Sequence, residues 1–177
     1  MSNQHANLIV IMGVSGSGKS TIAELVAQDI GADFIEADDF HHEENKANMS
    51  KNIPLTDKQR LSWVISVLDA VCQRLQRNER SVVLAYSGLK KKHRMMFKQL
   101  PYRVHFFWLN PCSFTLVTRL SERKNHFVSA SFLESQLRDF ESPESDESHI
   151  LSITSPEEST AIKELIIGTI SKYEVSK

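Results

Sequence analysis

The chain has 177 residues, 41% apolar and 24% charged, which suits one soluble domain with a sizeable core. A net charge of −1 gives no basic excess of the kind that holds nucleic acid or anionic membrane nonspecifically. Its two cysteines, Cys72 and Cys112, have no CxxC spacing and make no disulfide framework, and no apolar run has the length of a membrane span, so a reduced, cytoplasmic protein is expected.

The run LIVIM at 8–12 is continuously apolar, the pattern of a parallel strand buried on both faces. Glycines punctuate 13–18. A helix is predicted over 19–30, with Ile22, Leu25, Val26 and Ala27 as its apolar face and Gly31 as its stop. Phe34 and Ile35 open a second strand that ends near Asp38. The stretch EADDFHHEEN at 36–45 then carries five carboxylates and two adjacent histidines. Glu43 and Glu44 suit the first turn of a helix, where carboxylates favour the dipole. Thr56 caps a long helix over 57–77, with Trp63, Val64, Val67, Leu68, Val71 and Leu75 inward. Strands follow at 81–86 and 102–109, helices at 113–122 and 131–140, a short fifth strand at 149–153 and a closing helix at 156–173. The stretch ESPESDES at 141–148 reads as the most polar loop. This alternation predicts one α/β domain over 1–177, a sandwich around a mainly parallel five-stranded sheet.

GVSGSGKS at 13–20 fits GxxxxGK[ST], between a buried strand and an amphipathic helix. Gly13, Val14, Ser15, Gly16, Ser17 and Gly18 supply backbone N–H groups that converge on an anion, and the helix entered through Lys19, Ser20 and Thr21 adds its dipole. Lys19 can reach the β- and γ-phosphates of a nucleoside triphosphate, and the Ser20 hydroxyl can ligate Mg²⁺. No NKxD-type segment reads guanine, which weakens a GTPase. The third strand ends LAYS, without the carboxylate of a water-activating ATPase. A small-molecule kinase with a closing lid fits better.

Ligands of open α/β sheets gather beyond the carboxyl ends of strands, where Lys90 and Arg94 follow the third strand. Four residues apart, they suit an anionic acceptor, with a solvated helix face as the competing reading of the KKK run. Arg119 and Arg123 share that spacing and suit the charge of a transferring phosphoryl group, or again an exposed face. Asp38, at the end of the second strand, is the candidate to face the γ-phosphate, as general base or as orienter of the acceptor hydroxyl and the Mg²⁺ shell. On an extended segment Asp39 points the opposite way. The adjacent His41 and His42 also point apart, against a metal cage, and His41 is a candidate to bind a polyol.

Five segments in order resemble the gluconokinase family, small P-loop kinases. They are MGVSGSGKS; Asp38, His41 and Asn45 leading to PLTD at 54–57 with Arg60 and Trp63; SGLKK at 87–91 with Arg94; RLSERKNHF at 119–127; and Gln136 with Glu141, Pro143, Asp146 and Glu147. The resemblance implies a nucleoside-monophosphate-kinase-like three-layer fold with a helical lid over about 119–136, ATP with Mg²⁺, and phosphorylation of D-gluconate to 6-phospho-D-gluconate. It implies a homodimer and a place in sugar-acid catabolism feeding the pentose phosphate pathway. It implies Lys19, Asp38, Arg119 and Arg123 as catalytic, Ser20 and Asp38 toward the metal, and Asp38, His41, Arg60, Lys90, Arg94 and His126 toward the acceptor. Ala37, His42, Ser62, Tyr86 and Asn125 depart from the family's usual residues. Of these, Tyr86 puts a large ring where a small residue is usual beside the acceptor. The rival expectations are a kinase for another small anionic hydroxylated acceptor, shikimate-like or a different sugar acid, and a nucleotide-binding regulatory protein without turnover.

Overall fold

The computed structural model describes residues 6–51, 53–78, 80–122, 130–154 and 158–175. Five parallel strands form one sheet in the order β2-β3-β1-β4-β5: β1 (Asn7–Met12), β2 (Asp33–Glu36), β3 (Val82–Tyr86), β4 (Arg103–Leu109) and β5 (Ile150–Ile153). Central β1 is buried on both faces, which is why its sequence runs apolar without alternation. Its side chains divide with a period of two. Leu8, Val10 and Met12 pack against Trp63, Val64, Val67, Val71 and Leu75 of α3 (Asp57–Asn78). Ile9 and Ile11 pack against Ile22 and Val26 of α1 (Lys19–Ile30) and Ile162 and Ile166 of α7 (Ser159–Val175). The result is the expected three-layer α/β sandwich.

The remaining described helices are α2 (Glu43–Ser50), α4 (Lys91–Lys98), α5 (Ser113–Glu122) and α6 (Ala130–Asp139). Leu116 of α5 and Leu133 of α6 join Val14 and Leu89 in a small apolar cluster at the carboxyl end of the sheet. Thr56 caps α3 as expected: its Oγ1 accepts from Gln59 N, and Gln59 Oε1 accepts from Thr56 N, a reciprocal capping box.

β2 is shorter than expected. Residues Ala37–Phe40 wind into a 3₁₀ turn, started by Asp38 N donating to Glu36 Oε1 at 3.4 Å. Asp38 and Asp39 therefore sit on a turn, and strand alternation does not separate them. The expected first turn at Glu43 and Glu44 grows into the eight-residue α2.

Candidate active site

The phosphate loop leaves β1 and enters α1. Gly16 and Gly18 have φ of 80° and 94°, and Gly18 caps α1 in the left-handed region where only glycine is unstrained. At Gly13 the need is space: a Cβ there would lie 2.6 Å from Ser17 Oγ and 2.7 Å from the Leu109 carbonyl. Two side chains from the α5–α6 side touch the loop. Ser15 N donates to Gln136 Oε1 at 2.7 Å, and Arg119 Nη1 donates to the Ser17 carbonyl at 3.2 Å. Arg119, Gly16, Ser17, Gly18 and Thr21 line a cleft of about 300 Å³ on one side of the loop.

A second, open cleft lies on the other side. It gathers Lys19 from the loop, Asp38 and His41 from the end of β2, Arg60 and Trp63 from α3, Ser87 and Leu89 from the end of β3, and Gln136 and Asp139 from α6. His41 is 6% exposed and its ring stacks on Trp63 at 4.3 Å and 19°. Trp63 is itself fixed, its Nε1 donating to the Ala37 carbonyl at 2.7 Å. Asp38 Oδ1 lies 3.7 Å from His41 Nε2, and the Asp38 side chain is half exposed to the cleft. Arg60 Nη2 meets Asp139 Oδ2 at 2.6 Å. Arg60 Nη1 and His41 Nδ1 are both buried and have no hydrogen-bond partner among the described residues. Two polar atoms held dry and unsatisfied beside a cleft are costly unless a ligand completes them.

Lys90 and Arg94 do not join Arg60, which corrects the expected convergence. Arg94 is completely buried behind the cleft wall. Its Nε and Nη2 donate to the two carboxylate oxygens of Glu147 at 2.8 and 2.6 Å, and its Nη1 donates to the Gly88 carbonyl at 2.8 Å. Lys90 Nζ lies 3.4 Å from Glu141 Oε1. Tyr86 is also displaced from its expected place beside the acceptor. It is buried in the core between Trp63 and Phe97, and burial pushes its phenol well above the ordinary value. Arg123 and His126 lie outside the described residues.

Glu36 is a functional candidate that the sequence does not single out. Its carboxylate lies near the Ser20 hydroxyl, Lys19 and Asp38. Burial raises the Glu36 carboxyl above its ordinary value, against the opposing pull of that hydroxyl. The available signal was position: Glu36 ends the strand next to the phosphate loop. Gln136 and Asp139, three apart on α6, face the same cleft and carried a similar signal.

The AAA domain family matches residues 8–143. The thermosensitive gluconokinase of Escherichia coli is 38% identical over 144 residues, covering 81% of this chain and 76% of that protein. The chain belongs to the gluconokinase family. Among solved structures, a gluconokinase from Sinorhizobium meliloti superposes with a TM-score of 0.82 at 31% identity, covering 98% of this chain and 99% of that one. A sugar kinase from Janibacter sp. HTCC2649 gives a TM-score of 0.85 at 36% identity, with 94% and 95% covered. The gluconokinase-family fold therefore extends over nearly the whole chain, including the elements that build both clefts.

Proposed function

We propose that this chain is a gluconokinase, transferring the γ-phosphoryl group of ATP to a hydroxyl of D-gluconate to give 6-phospho-D-gluconate. The observation that carries the reading is the second cleft. It puts the phosphate-loop lysine in the same space as a buried guanidinium with an unpartnered N–H, which is what an acceptor carrying a carboxylate requires. The similarity to gluconokinases of other organisms supports the same acceptor.

In this reading ATP lies across the loop, with its phosphates on the backbone N–H groups and Lys19. Arg60 Nη1 takes the acceptor carboxylate, and Asp139 holds the guanidinium in place. His41, clamped on Trp63, takes a hydroxyl through Nδ1. Asp38 orients the attacking hydroxyl and accepts its proton as the bond to phosphorus forms. Arg119 stands at the far side of the loop, where it stabilises charge on the phosphates, and Arg123 and His126 complete the acceptor and phosphate contacts. Hard oxygen donors suit Mg²⁺: the Ser20 hydroxyl would be its direct protein ligand, and Glu36 and Asp38 would hold its water shell. When bound, Mg²⁺ neutralises charge on the β- and γ-phosphates. The lid over 119–136 belongs to the proposal, supported by the contacts that Arg119 and Gln136 make with the loop. Cytoplasmic residence, a homodimer, sugar-acid catabolism feeding the pentose phosphate pathway, and no nucleic-acid or membrane partner complete it. Among the described residues, no helix is long and apolar enough to cross a membrane.

The test is ADP release by the purified protein with ATP, Mg²⁺ and a panel of sugar acids and shikimate, with the product identified by ³¹P NMR. Gluconate is expected to be the best acceptor. Faster turnover of another acid would overturn the acceptor, and no acceptor-dependent ADP release would favour the regulatory reading.

A further inference from the structure

A third cavity lies at the opposite end of the sheet. β5 joins β4 only from Phe106 onward, so Arg103 to His105 are left as a strand edge on that side. Arg103 pairs with Asn7 at the start of β1, whereas the phosphate loop follows Met12, which pairs with Trp108. At about 3.3 Å per residue the two ends are roughly 17 Å apart along the strand. The cavity has a volume of about 470 Å³, larger than either cleft of the candidate active site.

Its polar lining is basic. Lys98 comes from the end of α4, Arg103 and His105 from β4, and His149 from the turn before β5; no carboxylate lines it among the described residues. Tyr173 of α7 forms one wall. Its ring lies 5.7 Å from that of His105, and its carbonyl accepts from Arg103 Nη1 at 3.3 Å. His149 packs edge-on to Phe106 at 5.5 Å, and its Nε2 is buried with no hydrogen-bond partner among the described residues. Four basic groups from three elements, one holding a buried nitrogen unsatisfied, form a built polar end rather than a solvated charge run. Val104, Ile150 and Leu151 give the rest of the cavity an apolar side.

We infer that this cavity is a second anion site, taking a small phosphate monoester. Lys98 and Arg103 supply permanent charge to the phosphate, and the apolar wall with Tyr173 covers the carbon part. His149, once protonated, adds its positive charge to the cavity. Burial, with Lys98 next, holds its imidazole below the ordinary value; Arg94 lowers it further while Glu147 and Asp146 oppose. An arriving dianion reverses that balance, so binding and protonation are coupled.

The experiment follows the histidine ring resonances of the full chain by NMR, with His149 assigned through His149→Gln. Glycerol 3-phosphate is the probe, and sulfate and glycerol are the comparisons. The ester is expected to shift the His149 and His105 resonances saturably, more tightly than sulfate, and glycerol not at all. Lys98→Gln and Arg103→Gln, both surface changes, should each weaken the ester by about tenfold. His149 resonances that stay still, or drift without saturating, would overturn the site. Sulfate binding as tightly as the ester would overturn the ester class. A His149 shift that tracks protein concentration without anion would overturn the proposal by making this edge a contact between copies.

Discussion

Arg94 and Glu147 offer the sharpest quantitative test of how the acceptor end is built. Both side chains are 0% exposed, and two of Arg94's hydrogen bonds go to Glu147 while the third holds the Gly88 carbonyl. Arg94→Met leaves a carboxylate buried without its partner, which costs about 3–5 kcal/mol. It also leaves the Gly88 carbonyl unpaired, at about 1–3 kcal/mol more. Against a total stability of about 5–15 kcal/mol, that is a large share or the whole of it. At roughly 2–4 °C per kcal/mol for a chain of this size, the midpoint should fall by about 10–25 °C or folding should fail. The double variant Arg94→Met with Glu147→Leu removes both charges and fills the space, leaving only the Gly88 carbonyl, so it should be more stable than either single variant. Thermal and urea melts of Arg94→Met, Glu147→Leu and the pair measure this as a double-mutant cycle. Single variants melting within a few degrees of the parent, or a double as unstable as the two singles summed, would refute the buried-pair reasoning.

The remaining predictions concern the cleft and one buried imidazole. Lys19→Ala should lower kcat by about 100-fold or more with the melting point kept, since it removes charge stabilisation at the phosphates; steady-state kinetics beside a thermal melt will check it. Arg60→Ala should raise the gluconate KM by about 10- to 150-fold and leave the ATP KM nearly unchanged, and the reverse pattern would move the acceptor elsewhere. Asp38→Asn should cut kcat by about 10²–10⁴-fold while Asp39→Asn is mild, so a crippled Asp39→Asn would shift the assignment one residue along the 3₁₀ turn. His93 is 1% exposed, with both ring nitrogens unpartnered among the described residues, and burial, with Lys92 and Arg60, holds its pKa below the ordinary value. The unfolded chain therefore binds this proton first. Stability should fall as pH drops through about 6.5, and less steeply in His93→Phe; equal slopes in urea melts at pH 5 to 7.5 would refute it.

The parts of the fold that were legible in the sequence are those that local chemistry decides. β1 announces itself because both its faces are buried, and the phosphate loop because only glycines fit its backbone. The register of the acidic stretch was less legible, because a side-chain bond from Glu36 to the Asp38 amide turns the strand into a 3₁₀ turn. Arg60 lines the second cleft and pairs with Asp139, a residue 79 positions away that local spacing does not reveal. Arg94 was misplaced for a clear reason. Four-residue spacing locates it on a helix face, but its role is set by Glu147, 53 residues further on. Tyr86, expected beside the acceptor from the family's usual residue, is instead turned into the core by packing against Trp63 and Phe97.

Two charge runs that looked unrelated in the sequence turn out to be one device. The basic segment at 90–94 and the acidic segment at 141–147 meet residue by residue. Glu141 accepts from Lys91 N at 2.7 Å and lies beside Lys90, while Lys91 Nζ reaches Glu144 and Asp146 at 2.8 and 2.9 Å. Glu147 then closes on Arg94, and Glu141 N donates to the Leu89 carbonyl at 2.8 Å. These bonds fix Ser87 to Leu89, on the wall of the second cleft, from behind. They do not contribute equally. The outer bridges of Lys91 are exposed and weaken with salt. The buried pair is shielded from salt and tied to Gly88, whose φ of 65° and contact with Met12 leave no room for a side chain. High salt should therefore loosen the outer bridges and leave the wall in place. Lys90 and Lys91 are thus the solvent-facing outer half of the clamp behind the second cleft, while Lys92 pairs with Asp57 on α3.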